Sequence, residues 1–206
     1  MNTLVLHTSA TAQWHALIND AEHACQAHLE EDLQSYLVFL LMRYVGAAEL
    51  SNTVMALDYL NSFKVSGRLR EHRLREVGDK CLLYSGFFPG RAERRRVRIS
   101  YYVDIGVSAY ALLANSLAGV RAQIFEQLSA HFIALMDILQ AVRQLGHTQP
   151  ILEPLQAIEL WQDTHSHHAL TLLSRYTQAT PVHVSTTETP THSQVNAPQG
   201  KRPHSH

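Results

Sequence analysis

The sequence predicts an all-α fold: an irregular bundle of six or seven helices with a disordered C-terminal tail. Three observations lead there. Apolar residues recur with a helical period along most of the chain, only one short segment alternates with a period of two, and large apolar side chains almost vanish after Thr180. With 206 residues, 46% of them hydrophobic and 17% charged, the chain is long enough to bury one sizeable core.

Taken in order, Trp14, Leu17, Ile18, Ala21 and Cys25 form a first helical stripe, and Leu33, Leu37, Leu40, Leu41 and Tyr44 a second that stops at Gly46. They read as two helices, or as one kinked near Leu29. A third helix is expected from about Ala48 to Ser62, with Val54, Met55 and Leu57 on its apolar side. A fourth runs from about Arg68 to Phe87, with Gly78 as a point of interruption, and Phe88-Pro89-Gly90 ends it. Residues 97–103 alternate as a strand would, but no second strand exists to pair with them, so 97–99 is read as extended and Ser100 as the N-cap of the next helix. That helix reaches Gly119. The next spans Val120 to Leu145, and a last one runs from Pro154, suited to a first turn, to about Tyr176. The resulting division is a flexible N-terminus over 1–11, a helical domain over 12–177 and a tail over 178–206. Four of the seven prolines lie in that tail, which has too little apolar surface to offset the entropy of ordering.

Cys25 and Cys81 stand 56 residues apart in no CxxC or zinc spacing, so neither a disulfide framework nor a cysteine zinc site is indicated. The N-terminus has no basic start and only a three-residue apolar run, and Leu37–Met42 stops at Arg43, far short of a membrane span. A cytoplasmic protein with reduced thiols and no membrane span is expected. Leu37–Met42 is apolar nearly all round, which favours burial on several sides and so a homo-oligomer.

The net charge of −1 conceals two unlike parts. Between Lys64 and Arg98 lie eleven basic residues against four acidic ones, a net +7, which leaves −8 for the rest of the chain. The candidate anion-binding residues are Arg68, Arg70, Arg73, Arg75, Arg91, Arg94, Arg95, Arg96 and Arg98. Arginine suits bidentate contact with carboxylate or phosphate, so an anionic partner is the physical reading. If Cys81–Tyr84 folds back as a hairpin, the two basic runs meet on one surface. The bland reading is self-pairing: Arg68 with Glu71, Glu71 with Arg75, and Arg73 with Glu76 have helical spacing. Phe87-Phe88 and Tyr101-Tyr102 flank the second run and could stack on bases, but no recognised nucleic-acid motif accompanies them and core packing is the expected role.

His165 and His168 continue the stripe of Trp161 and Leu172, so both are expected to point inward from one helix face. They would hold a metal if Asp20, Glu22 or Asp137 on facing helices completed the set; ordinary core or rim histidines are the alternative. No nucleotide fingerprint, nucleophile elbow or other cofactor motif is present in the sequence. Asp79 as the cap of a turn would place Cys81 at a helix start, where a thiol pKa falls; a buried core cysteine is the alternative.

Gly78–Gly90, with the arginine run after it and Tyr101-Tyr102-Val103-Asp104-Ile105-Gly106, resembles a segment of uncharacterised helical proteobacterial proteins over about 40 residues. The resemblance implies a bacterial cytosolic setting. The expected function is that of a non-catalytic, regulatory or assembly-related protein binding a protein or other anionic partner through the basic region. A nucleic-acid binder and a helical-bundle metalloenzyme are the alternatives.

Overall fold

The structure, a computed structural model, describes residues 9–44 and 54–176. Among them the chain is all-α, but in ten helices rather than six or seven: α1 (Ala10–Cys25), α2 (Glu31–Tyr44), α3 (Met55–Ser62), α4 (Gly67–Leu82), α5 (Gly90–Arg94), α6 (Ile99–Ser116), α7 (Val120–Ala130), α8 (Phe132–Leu145), α9 (Pro154–Thr164) and α10 (His167–Tyr176). A π-helical turn, Leu83–Phe87, extends α4. The expected tail over 178–206, the expected N-terminal segment up to residue 8 and the expected helical residues 48–53 lie outside the described residues.

The first two stripes are separate helices. Ser9 caps α1, its hydroxyl accepting from the Ala12 amide at 3.2 Å, and Gln26 ends it in the left-handed conformation at φ 53°. The buried Glu22 ties the link to α2: its carboxylate accepts from the Leu29 amide and from the Gln34 side chain, each at 2.6 Å.

Two expected long helices are each broken in two, and neither break has a glycine or proline to announce it. The stretch 120–145 divides at His131, with φ −102° and ψ 15°, which frees α7 to lie on α6 while α8 turns inward. The stretch 154–176 divides at His165, left-handed at φ 56°; Ser166 then caps α10 by accepting from the Ala169 amide at 3.0 Å. At the start of α6 the helix begins at Ile99. Ser100 lies inside its first turn, and its hydroxyl donates to Asp163 at 2.7 Å instead of capping.

Gly78 does not interrupt α4. It lies against the Tyr110 ring, where a Cβ would collide with the ring carbons, and Gly106 of α6 meets Phe132 in the same way. These two absences of a side chain let α4, α6 and α8 approach closely. Tyr110, Phe125 and Phe132 then pack together with ring centroids 5.9 Å apart at both contacts.

The Leu37–Met42 run is covered mainly by its own chain: Leu37, Val38, Leu40 and Leu41 are buried, while Phe39 and Met42 face outward. The orientation of α3 also differs from expectation. Met55 is turned inward, whereas Val54 and Leu57 are about half exposed. No helix among the described residues is long and apolar enough to cross a membrane.

Candidate functional site

Helix α4 carries the first basic run and the Asp79 carboxylate that organises it. Asp79 is 1% exposed, and its Oδ1 accepts from the Tyr36 hydroxyl at 2.5 Å and the Tyr110 hydroxyl at 2.8 Å. Its Oδ2 lies 3.7 Å from Arg75 Nε and 3.8 Å from an Arg43 guanidinium nitrogen. Burial pushes this carboxyl up, and the Tyr36 hydroxyl, Arg75, Tyr110 and Arg43 oppose that shift. Arg75 also lies over the Tyr36 ring at 5.6 Å, so its guanidinium is held from two sides.

Beside Arg75 opens a cavity of about 340 Å³ lined by Arg68, Glu71, His72 and Arg75 of α4, Leu113 of α6, and Arg121 and Phe125 of α7. Three guanidiniums face one carboxylate there, and Arg121 reaches Glu71 at 3.3 Å. Leu113 and Phe125 give the cavity an apolar side. The arrangement suits a carboxylate that accepts from arginine while its own carbon chain covers that side. Compared with family models, curated proteins and solved structures, the chain matches none. The chemistry of the site therefore rests on these residues alone.

The structure distributes the other predicted arginines instead of gathering them. Cys81–Tyr84 is no hairpin: it continues α4 into the π turn and is buried. Arg73 donates to the Asn61 carbonyl at 3.2 Å, on the α3 side of α4. Arg70 lies over Phe63 at 5.5 Å, and Arg91 lies over Tyr84 and Phe88. Arg98 pairs with Asp163 at 3.1 Å and Glu159 at 3.7 Å, beside Arg96 in a separate cavity against α9. Arg95 lines a further one with Tyr101 and Tyr102, and Arg94 is exposed. Within α4 the close pairs are His72 with Glu76 and Arg75 with Asp79 rather than those read from the spacing, and Glu71 and Glu76 meet Arg121 and Arg43 across helices. Arg121 carries no signal in the sequence, since a lone cation 46 residues beyond Arg75 leaves no local pattern.

His165 and His168 do not share a helix face. His165 is exposed at the break, its ring edge-on to Trp161 at 6.2 Å, while His168 is buried in the first turn of α10. The carboxylates expected to complete a metal set are placed otherwise. Asp20 is exposed, Glu22 holds the α1–α2 link, and Asp137 accepts from the Ser166 hydroxyl at 2.6 Å and the His168 amide at 3.2 Å. Among the described residues no group of three or more His, Cys, Asp or Glu is arranged to hold a metal ion. Cys81 sits late in α4 and fully buried rather than at a helix start, and burial pushes its thiol up. Cys25, 3.9 Å from His168 Nδ1, is pushed up to about 12 by burial and by Asp137, so neither thiol is activated.

Asp137 and His168 give acid stability an opposed pair of slopes. Burial raises Asp137 from 3.8 to about 6, so its contribution is complete below 3.8 and is lost as pH rises through 6. Burial first, then Arg175 and His167, lower His168 from 6.5 to about 4, so its contribution is present above 6.5 and is lost as pH falls through 4. Replacing His168→Gln removes the second slope only. Between about pH 7 and pH 4 the advantage of the parent over this variant should shrink, by as much as about 3 kcal/mol, in urea unfolding at each pH. A difference that stays constant or widens toward acid would show that His168 is protonated in the native state.

Proposed function

We propose that the protein is a non-catalytic cytoplasmic binding protein that takes an acidic segment of a partner protein in the cavity between α4, α6 and α7. The single observation that carries this reading is the convergence of Arg68, Arg75 and Arg121 around Leu113 and Phe125, with Glu71 as the one carboxylate among the described lining residues. Arg75 is preorganised by Asp79 and Tyr36, so less side-chain freedom is lost on binding. The apolar side favours a carboxylate-bearing peptide over a bare phosphate backbone. Both cysteines are free and buried, in keeping with a reducing compartment.

The test is fluorescence anisotropy on the full chain with a labelled Glu-rich peptide interspersed with Leu, and with a mixed-sequence single-stranded DNA. The expected result is saturable peptide binding that weakens with salt and falls about tenfold or more in Arg68→Ala/Arg121→Ala. DNA binding that is tighter than peptide binding, with a steep salt slope reduced by the same pair, would favour the nucleic-acid alternative. No binding of either probe at low salt removes the reading.

A further inference from the structure

A cavity of about 260 Å³ opens where the start of α3 meets the start of α6, and it shares no lining residue with the proposed peptide site. Val54, Met55 and Val97 give it an apolar wall, and Arg95, Tyr101 and Tyr102 give it polar groups. No Asp or Glu is among the described lining residues. The link from α5 to α6 that carries Arg95 has a fixed course. Arg96 is left-handed at φ 56°, and the Val97 amide donates to the Ala92 carbonyl at 3.0 Å, the closure of a Schellman motif. The amides at the start of α3 are already engaged, that of Ala56 by the Tyr101 hydroxyl and those of Leu57 and Asp58 by the Val54 carbonyl. Side chains rather than the helix end therefore set the chemistry of the site.

Tyr102 supplies the observation that points to a ligand. The residue is 2% exposed, and its ring packs edge-on against Tyr84 and Tyr101 with centroids 5.3 and 5.1 Å away. Among the described residues its hydroxyl has no hydrogen-bond partner. The oxygen is not sealed in the core as that of Tyr44 is, so the little surface it keeps opens into the cavity that Tyr102 lines. Burial raises the pKa of this hydroxyl above the ordinary tyrosine value, and the charge of Arg95, in the same lining, opposes that shift. The group therefore stays protonated near neutral pH and has a hydrogen to give. The Tyr101 oxygen accepts from the Ala56 amide at 3.2 Å, which leaves its own hydrogen to donate as well. A cation would be repelled by Arg95, a neutral hydrocarbon would leave the donors unmatched, and a phosphate dianion would bring two charges to one guanidinium. A carboxylate matches the single cation and accepts from both hydroxyls. The volume lies just below the lower end of about 300–1,000 Å³ typical of small-molecule sites, which sets the ligand at the size of a substituted benzene ring.

We propose that this cavity binds a small apolar carboxylate, its head between Arg95 and the hydroxyls of Tyr101 and Tyr102 and its hydrocarbon body on Val54, Met55 and Val97. The experiment is a calorimetric titration of the full chain, at constant ionic strength, with benzoate, phenyl phosphate, benzyl alcohol and benzylamine. The expected result is saturable binding of benzoate, with the other three probes about tenfold weaker or more. Arg95→Gln and Tyr102→Phe should each weaken benzoate binding about tenfold. The first of these changes an exposed side chain, and the second keeps the packed ring and removes only its oxygen. The same titration on the Arg68→Ala/Arg121→Ala chain separates this cavity from the peptide site, and benzoate should bind there as in the parent. The proposal is overturned if benzoate does not saturate, if any other probe binds as tightly, if either Arg95→Gln or Tyr102→Phe leaves the titration unchanged, or if the Arg68→Ala/Arg121→Ala chain loses benzoate. The comparison of the four probes needs no variant, and its failure leaves the peptide reading to its own test.

Discussion

Asp79→Ala is expected to lower stability by about 2–6 kcal/mol in urea unfolding, about 1–3 kcal/mol for each of two buried hydroxyls left without an acceptor. The loss comes mainly from the Tyr36 and Tyr110 hydroxyls, which lose their acceptor inside the core. Arg75 and Arg43 are 47% and 44% exposed, so water screens their pairs with Asp79 and they add little. Asp79→Asn retains an acceptor oxygen for the tyrosines and should cost markedly less. The same substitution has a functional reading: Arg75 loses the group that holds it at the cavity, so peptide affinity should fall even where the variant is fully folded. A stability loss below about 1 kcal/mol would mean that the two hydroxyls find other partners.

Phe132→Ala should cost a comparable amount, about 3–5 kcal/mol, through the cavity it leaves. The ring is 1% exposed, packs against Tyr110 and lies over Gly106, which has no side chain to fill the space it leaves. Gly106→Ala addresses the same contact from the other side: its new methyl meets the ring, an overpacking expected to cost about 1–3 kcal/mol. Because the two positions share one contact, Gly106→Ala combined with Phe132→Leu should lose less than the sum of the single changes. Strict additivity in that cycle, measured by the same unfolding curves, would show that the ring does not depend on the bare glycine.

The all-α class was legible because helical period dominates the sequence, and burial honours most of the stripes that reveal it: Ile18, Leu37, Leu41, Leu113, Leu135 and Leu172 are all in the core. The number of helices was not, since His131 and His165 take turn conformations that ordinary residues adopt when the packing on either side requires it, and the short α5 follows directly on the Phe88-Pro89 break. That second break also separated His165 from His168, because a face drawn on an unbroken helix has no meaning across a left-handed residue. The basic concentration was legible as charge but not as a surface. Arg98 is taken up by α9, Arg91 lies over Tyr84 and Phe88, and Arg73 turns to α3, while the cavity is completed by Arg121 from α7. The neighbours of Asp79 along the chain suggest a cap, whereas its partners Tyr36 and Tyr110 are 43 and 31 residues away.

The π turn has a wider consequence for how the molecule opens. Phe88 donates back to Leu83, and the carbonyls of Ser85 and Phe87 are taken by the side chains of Gln140 at 2.9 Å and Arg143 at 2.8 Å. The end of α4 is thereby fastened to α8 by donors that belong to α8. Neither helix end can fray by itself, because loosening one strands polar groups on the other. Two segments more than fifty residues apart therefore behave as one cooperative unit.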